Sequence, residues 1–109
     1  MIFYRLYTGN DGQSHFEKLR SENAAKLYDT ADKVKGLVFR QGRRSHLLDW
    51  HPAPRRQSVI TLSGSVEILV SDGTSVTFGA GDVFLAEDVT GQGHRAKPKD
   101  WIRAFIHLD

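Results

Sequence analysis

The run over 58–87, SVITLSGSVEILVSDGTSVTFGAGDVFLAE, constrains the fold more than any other stretch. β-Branched and aromatic residues recur in it as short segments, which is typical of strands. Asp-Gly and Gly-Ala-Gly separate the segments, and Asp-Gly is a strong signal for a tight hairpin. We therefore predict four consecutive short strands here: SVITLSG, SVEILVS, TSVTF and DVFLA.

The rest of the chain continues this rhythm. Further strands are predicted at IFYRLYT, SHFEKL, KGLVFRQ and WIRAFIHL, and the one stretch of good helix formers is SENAAKLY at 21–28. About eight short strands, spaced by roughly ten residues, are typical of an antiparallel sandwich or barrel. The pattern predicts an all-β fold with at most one short helix.

Composition narrows the class of protein. The chain has 109 residues, which suits one domain, and its 39% hydrophobic and 26% charged content is that of a globular protein. A formal net charge of +2 is too small to predict binding to nucleic acid or a membrane. No cysteine is present, so disulfides and thiolate metal sites are excluded. With no apolar run resembling a signal peptide or membrane helix, we expect a cytoplasmic location.

Residues 45–108 resemble the cupin superfamily, whose first motif places two histidines and a glutamate before a glycine. Gly64 matches the closing glycine, and His51 matches the first histidine. Gln57 stands where the glutamate is expected, and Ala53 stands where the second histidine is expected. The chain therefore matches the spacing of the first motif but contains only part of its metal-ligand set.

The second cupin motif begins with Gly-Asp, runs through a strand to a turn, and ends on a histidine. Gly81 and Asp82 match its start, Glu87 replaces the turn proline, and His94 ends it about two residues late. The resemblance implies a single cupin domain over 1–109, with an N-terminal strand region at 1–44 and a core at 45–108. It implies a jelly roll, also called a double-stranded β-helix, like that of small bacterial cupins of mostly unassigned function.

In that family three histidines and a glutamate usually bind one divalent metal inside the barrel. The resemblance implies a reduced set here, namely His51, Gln57 and His94, for zinc, nickel, iron or manganese, or no metal at all. Imidazole suits such metals, and an amide oxygen is a poorer ligand. Structural roles stay open: His94 as a hydrogen-bonded or turn histidine, and Gln57 as a buried amide. His15 and His46 are weaker candidates.

Adjacent arginines at 55 and 56 precede the strand that follows Gln57. Because a guanidinium presents a planar fork suited to carboxylate or phosphate, one of them could hold an anionic ligand. Alternatively, they are solvated or pair with Glu87 or Asp88. We assign ligand binding to Arg55, Gln57, Glu87 and Asp88, and expect one of the acids to face Arg55 or Arg56.

The resulting functional hypothesis is binding of a small anionic molecule in the barrel, with or without a divalent metal. The alternatives are a metal-dependent enzyme of dioxygenase or isomerase type, and a metal-free sensor that acts as a dimer. Whether the chain is an enzyme stays open, because this fold hosts many chemistries. The apolar N-terminal strand IFYRLYT predicts a homodimer, since an unprotected strand readily pairs with another sheet edge.

Overall fold

The structure, a computed structural model, describes residues 1–19, 33–41 and 48–108. Within these ranges the chain forms strands and no α-helix; the helix predicted for 21–28 lies outside them. The strands are β1 Phe3–Thr8, β2 Ser14–Lys18, β3 Val34–Gln41, β4 Leu48–His51, β5 Gln57–Leu69, β6 Ser75–Phe78, β7 Val83–Glu87 and β8 His94–Leu108. The described part of the chain contains no helix with the length and hydropathy that crossing a bilayer requires.

One hydrogen-bonded sheet contains all of these strands. Its order is β2-β1-β7-β5-β8-β3, with β4 added to β8 and β6 added to β5. Every pairing is antiparallel except that of β1 with β7, which is parallel and was not predicted. Among the described strands the sheet does not close, so the expected barrel is open between β2 and β3. The all-β architecture fits the predicted cupin-type jelly roll.

The two longest strands, β5 and β8, bend the sheet into two halves. The first half of β5 pairs with β7, and its second half pairs with β6. Between them the β5–β8 register shifts near Ser63. Gly64 has a φ of 69°, and a Cβ there would lie 2.1 Å from the Asp100 carbonyl oxygen. Only glycine fits this approach, so the stretch predicted as two strands is one strand with a bend.

The alternation of side chains on β7 separates two apolar layers. Phe84 and Ala86 face the inner layer, whereas Leu85 between them packs on the outer side. The inner layer surrounds a cavity between the two halves of the sheet; its other buried members include Leu6, Val59, Val66, Ile68, Phe78, Ala96 and Trp101. The smaller outer layer contains Phe3, Leu19, Leu85 and Leu108. The fold thus places one face of β5, β7 and β8 around an internal space.

The N-terminal strand β1 is paired along both edges within one chain, with β2 and with β7. A second copy is therefore not needed to cover it. The apolar side chains left exposed at a sheet edge are instead on β3, where Leu37 is 55% and Phe39 is 64% exposed. The homodimer stays a prediction, and the exposed surface that favours it is on β3 rather than β1.

Candidate functional site

A cavity of about 320 Å³ lies between the two halves of the bent sheet. Its wall is mainly apolar and aromatic, with a few polar side chains, which is the usual character of a small-molecule site. The apolar and aromatic lining residues are Pro52, Ala53, Pro54, Val59, Ile68, Phe84, Ala86, Ala96, Trp101 and Phe105. The polar ones are His51, Gln57, His94 and Arg103.

His51 and His94 lie side by side on the cavity wall. His51 ends β4, His94 begins β8, and the two are direct partners across these antiparallel strands. Their ring centroids are 4.7 Å apart, with an angle of 54° between the ring planes. The sequence predicted that these two histidines would come together, and the β4–β8 pairing is what joins them.

Hydrogen bonds determine which nitrogen of each ring faces a ligand. The Nδ1 atom of His51 lies 2.6 Å from the Asp49 carbonyl oxygen, and that of His94 lies 2.6 Å from Asp88 Oδ2. A carbonyl and a carboxylate can only accept, so Nδ1 donates in both rings. In the neutral form, each Nε2 therefore carries the lone pair that a molecule in the cavity can use.

Asp88 lies behind His94 and is fully buried. Its Oδ2 atom accepts hydrogen bonds from His94 Nδ1 and from the Ser14 hydroxyl, each at 2.6 Å. Its Oδ1 atom is buried and has no hydrogen-bond partner among the described residues. Asp88 does not line the cavity and does not pair with an arginine. It follows the end of β7, and its carboxylate points to Ser14 and to the Nδ1 side of His94. Its role is to orient His94 rather than to contact a ligand directly.

Glu87, by contrast, points to the arginines. Its carboxylate accepts from Arg5 Nε at 2.6 Å and from Arg56 Nε at 2.5 Å. The expected pairing of an acid with one of the two adjacent arginines is thus present between Glu87 and Arg56, and Arg5 joins it from β1. Burial alone would raise the pKa of Glu87, but the bonds and charges of the two guanidinium groups outweigh it and lower the pKa.

Because the folded-state pKa of Glu87 is lowered, its contribution to stability is expected to be lost in acid. The contribution is fully present above the unfolded-state pKa, near 4.5, and disappears as pH falls through the lower folded-state pKa. Glu87→Gln should cost about 1–3 kcal/mol at pH 7 and much less at pH 3. Urea unfolding of both proteins across this range measures the difference. Glu67→Gln, at an exposed glutamate, is the control. If Glu87→Gln cost as much stability at pH 3 as at pH 7, the stabilising role of the ionised Glu87 carboxylate would be contradicted.

The remaining predicted residues divide between the cavity and the surface. Gln57 is buried on the cavity wall, and no described residue hydrogen bonds to its amide. Arg55 is exposed, with Nη1 3.5 Å from His107 Nδ1. Positions 51, 53 and 57 line the cavity but Arg55 does not, because β4 ends at His51 and β5 begins only at Gln57. His15 pairs with Asp11 outside the cavity, and position 46 lies outside the described residues.

Sequence reasoning missed Arg103, the one cationic side chain on the cavity wall. Its guanidinium lies 4.4 Å from the centroid of the Trp101 ring, and its Nη1 donates to the Trp101 carbonyl at 2.9 Å. Its Nε atom is buried and has no partner among the described residues. Burial, with a smaller effect from Arg40, lowers the pKa of Arg103. An arginine between apolar residues in the alternating WIRAFIHL was the signal that could have revealed it.

The donor set for a metal is small. No group of three or more His, Cys, Asp or Glu side chains in the described ranges is arranged to hold an ion. The cavity wall offers two imidazole nitrogens and the Gln57 amide oxygen. Solvent or ligand atoms would have to complete the coordination of a metal held there.

Comparison with known proteins shows likeness at the level of structure. No family model matches the chain, and a search of curated proteins finds no match. An RmlC-like cupin protein from Desulfovibrio desulfuricans is 15% identical, with a TM-score of 0.48 over 82% of this chain and 96% of that chain. A putative ethanolamine utilization protein Q from Salmonella typhimurium is 12% identical, with a TM-score of 0.40 over 99% and 95%.

Proposed function

We propose that the protein binds a small organic anion, with an apolar body and a carboxylate, in the cavity between the two halves of the sheet. Arg103 is the observation that carries this proposal. Its guanidinium lies on an apolar wall, its Nε has no partner, and no described carboxylate pairs with it. A partly buried charge without a counter-charge is costly, and a ligand carboxylate would remove that cost.

The cavity wall suggests the body of this ligand. Trp101 and Phe105 flank Arg103, and Phe84 lines the cavity from β7, with Val59 of β5 between it and Phe105. Trp101 is held in place by a 3.0 Å hydrogen bond from its Nε1 to the Thr61 hydroxyl. Apolar surface of this kind favours a hydrocarbon or aromatic group, while the few polar atoms orient it. A volume of about 320 Å³ suits a small metabolite rather than a nucleotide or peptide.

The two histidines supply the polar contacts at the other end of the wall. With Nδ1 donating on both rings, Nε2 of His51 and of His94 can accept hydrogen bonds from a hydroxyl or amide of the ligand. A divalent metal is a secondary proposal at the same place, held by His51, His94 and Gln57. Elemental analysis of untagged protein decides whether a metal shares the cavity.

A second candidate function is catalysis of isomerase type, favoured by the Asp88–His94 pair. A buried carboxylate that orients a histidine is a common arrangement for a general base. His94 Nε2 would take a proton from one carbon of the bound anion and return it to another carbon of the same molecule, and Asp88 would stabilise the imidazolium in between. Deuterium uptake from solvent into a bound carboxylate, followed by NMR, separates a reaction from binding alone.

The binding proposal predicts a specific loss at Arg103. Hexanoate and benzoate, as probes, should bind the purified protein, and Arg103→Gln should weaken that binding by about 10- to 150-fold, the equivalent of one charge-assisted contact. Arg103→Lys should lose less, because the charge is kept but the planar fork is not. Isothermal titration calorimetry measures each affinity.

Arg95→Gln is the matched control for this loss. Arg95 is on the same strand and lies over the Trp50 ring at 5.8 Å, but it does not line the cavity. Its substitution should leave probe affinity unchanged. Failure of both probes to bind at millimolar concentration, or equal losses at positions 95 and 103, would overturn the proposal.

A further inference from the structure

A second positively charged group lies directly beside Arg103. Arg40 on β3 and Arg103 on β8 are partners in the antiparallel register. Like charges placed directly opposite one another in a sheet are destabilising. No carboxylate among the described residues forms an ion pair with either guanidinium. Within the described ranges, the sheet therefore keeps two adjacent positive charges without a carboxylate to balance them.

Arg40 lines a smaller recess that lies next to the main cavity. This outer recess has a volume of about 230 Å³ and is lined by Val38, Arg40, Pro54, Arg55, Gln57, Phe105 and His107. Pro54, Gln57 and Phe105 also line the main cavity, so the two spaces adjoin. Among the residues that the structure describes, no acidic side chain lines the outer recess, and Arg55 approaches His107 rather than a carboxylate.

We propose that the ligand carries two anionic groups: a carboxylate held by Arg103 inside the cavity, and a second acidic group held by Arg40 and Arg55 in the outer recess. This inference rests on the proposed function and specifies its ligand class as an organic dianion. The apolar body spans Phe105, which belongs to both spaces.

Exposed arginines are ordinarily solvated and need no anionic partner. Arg40 and Arg55 differ from a solvated surface pair in two respects. They converge on one concave recess, and that recess adjoins a second, partly buried arginine. Burial lowers the pKa of Arg103, and the charge of Arg40, its partner in the register, lowers it further. An anion between or beside them would relieve this repulsion.

The test compares two matched series of probes by isothermal titration calorimetry. One series runs through the dicarboxylates from succinate to suberate, and the other through the monocarboxylates from butyrate to octanoate. We expect one dicarboxylate length to bind roughly tenfold more tightly than the monocarboxylate of equal length. Inorganic phosphate, as a third probe, should bind more weakly than that dicarboxylate.

Variants locate the second group. Arg40→Gln and Arg55→Gln should each reduce the dicarboxylate preference, and together abolish it, while monocarboxylate affinity stays within about twofold of wild type. Both side chains are exposed, so these substitutions are compatible with folding. Arg95→Gln should leave the affinity of both series unchanged.

The outcomes distinguish this inference from the proposal beneath it. If monocarboxylates bind at Arg103 but dicarboxylates bind no better at any length, the second group is refuted and the proposed function stands. If phosphate matches the best dicarboxylate, the arginines form one shared anion site, and the two-group ligand is again refuted. If no probe of any series binds, both the inference and the proposed function fail.

Discussion

Asp88→Ala is expected to lower the free energy of unfolding by about 3–5 kcal/mol, because it leaves two buried polar groups without their acceptor. Asp88 is 0% exposed and accepts from both His94 and Ser14 at 2.6 Å. It also joins β2, which carries Ser14, to the start of β8. Removing the carboxylate therefore weakens the fold and releases His94 from its orientation.

Urea unfolding followed by circular dichroism measures this loss. Asp72→Ala is a matched control, since Asp72 is an exposed aspartate whose side chain bonds only within its own turn, to the Thr74 amide. Asp88→Asn separates shape from charge, because an amide oxygen at the position of Oδ2 can still accept hydrogen bonds but carries no full negative charge. If Asp88→Ala had a free energy of unfolding close to that of wild type, the stabilising role of this carboxylate would be contradicted.

Gly93→Ala is expected to cost more than about 4 kcal/mol and to abolish ligand binding, an exceptional effect for a single methyl group. Gly93 has a φ of +83°, and a Cβ there would lie 2.0 Å from the His51 carbonyl oxygen and 2.1 Å from its carbon. Because these are backbone atoms, they cannot move aside as the end of a flexible side chain can. The substitution should therefore push β4 away from β8 and separate His51 from His94.

Gly73→Ala is the control that isolates backbone conformation from this clash. Gly73 has a φ of +91°, but nothing lies within 4 Å of a Cβ built on it. Its substitution should cost only about 1–2 kcal/mol, the usual penalty for a side chain in a left-handed conformation. Equal losses at the two glycines, measured by urea unfolding, would show that the close approach to His51 does not decide the effect.

The loop EDVTGQGH illustrates what sequence reasoning could and could not reach. Its histidine was expected to meet His51, and the rings lie 4.7 Å apart. One of the two acids was expected to face Arg55 or Arg56, and Glu87 does so by pairing with Arg56, whereas Asp88 bonds to His94. Both acids follow one another at a strand end, where the chain leaves the regular alternation. Beyond the end of a strand, the alternation of residues in the sequence no longer predicts to which side of the sheet a side chain points.

Local sequence determined the strands. Alternating β-branched and aromatic segments, separated by Asp-Gly and Gly-Ala-Gly, are sufficient to predict β5, β6 and β7, because strand propensity and turn chemistry act over a few residues. The joining of SVITLSG and SVEILVS into one strand was not predictable in this way. It depends on Gly64 meeting the Asp100 carbonyl from a strand more than thirty residues later, as their close approach shows.

Tertiary structure alone decided which further residues joined His51, Gln57 and His94 in and around the site. Arg103 became a cavity residue because β8 crosses both halves of the sheet, and Arg40 became its neighbour because β3 pairs there. Ser14 reached Asp88 because β1 pairs in parallel with β7 and brings β2 alongside. Each of these contacts joins residues far apart in the chain, so its energy arises only once the strands are paired. The sequence determined which segments form strands, whereas long-range pairing determined which charges share the cavity.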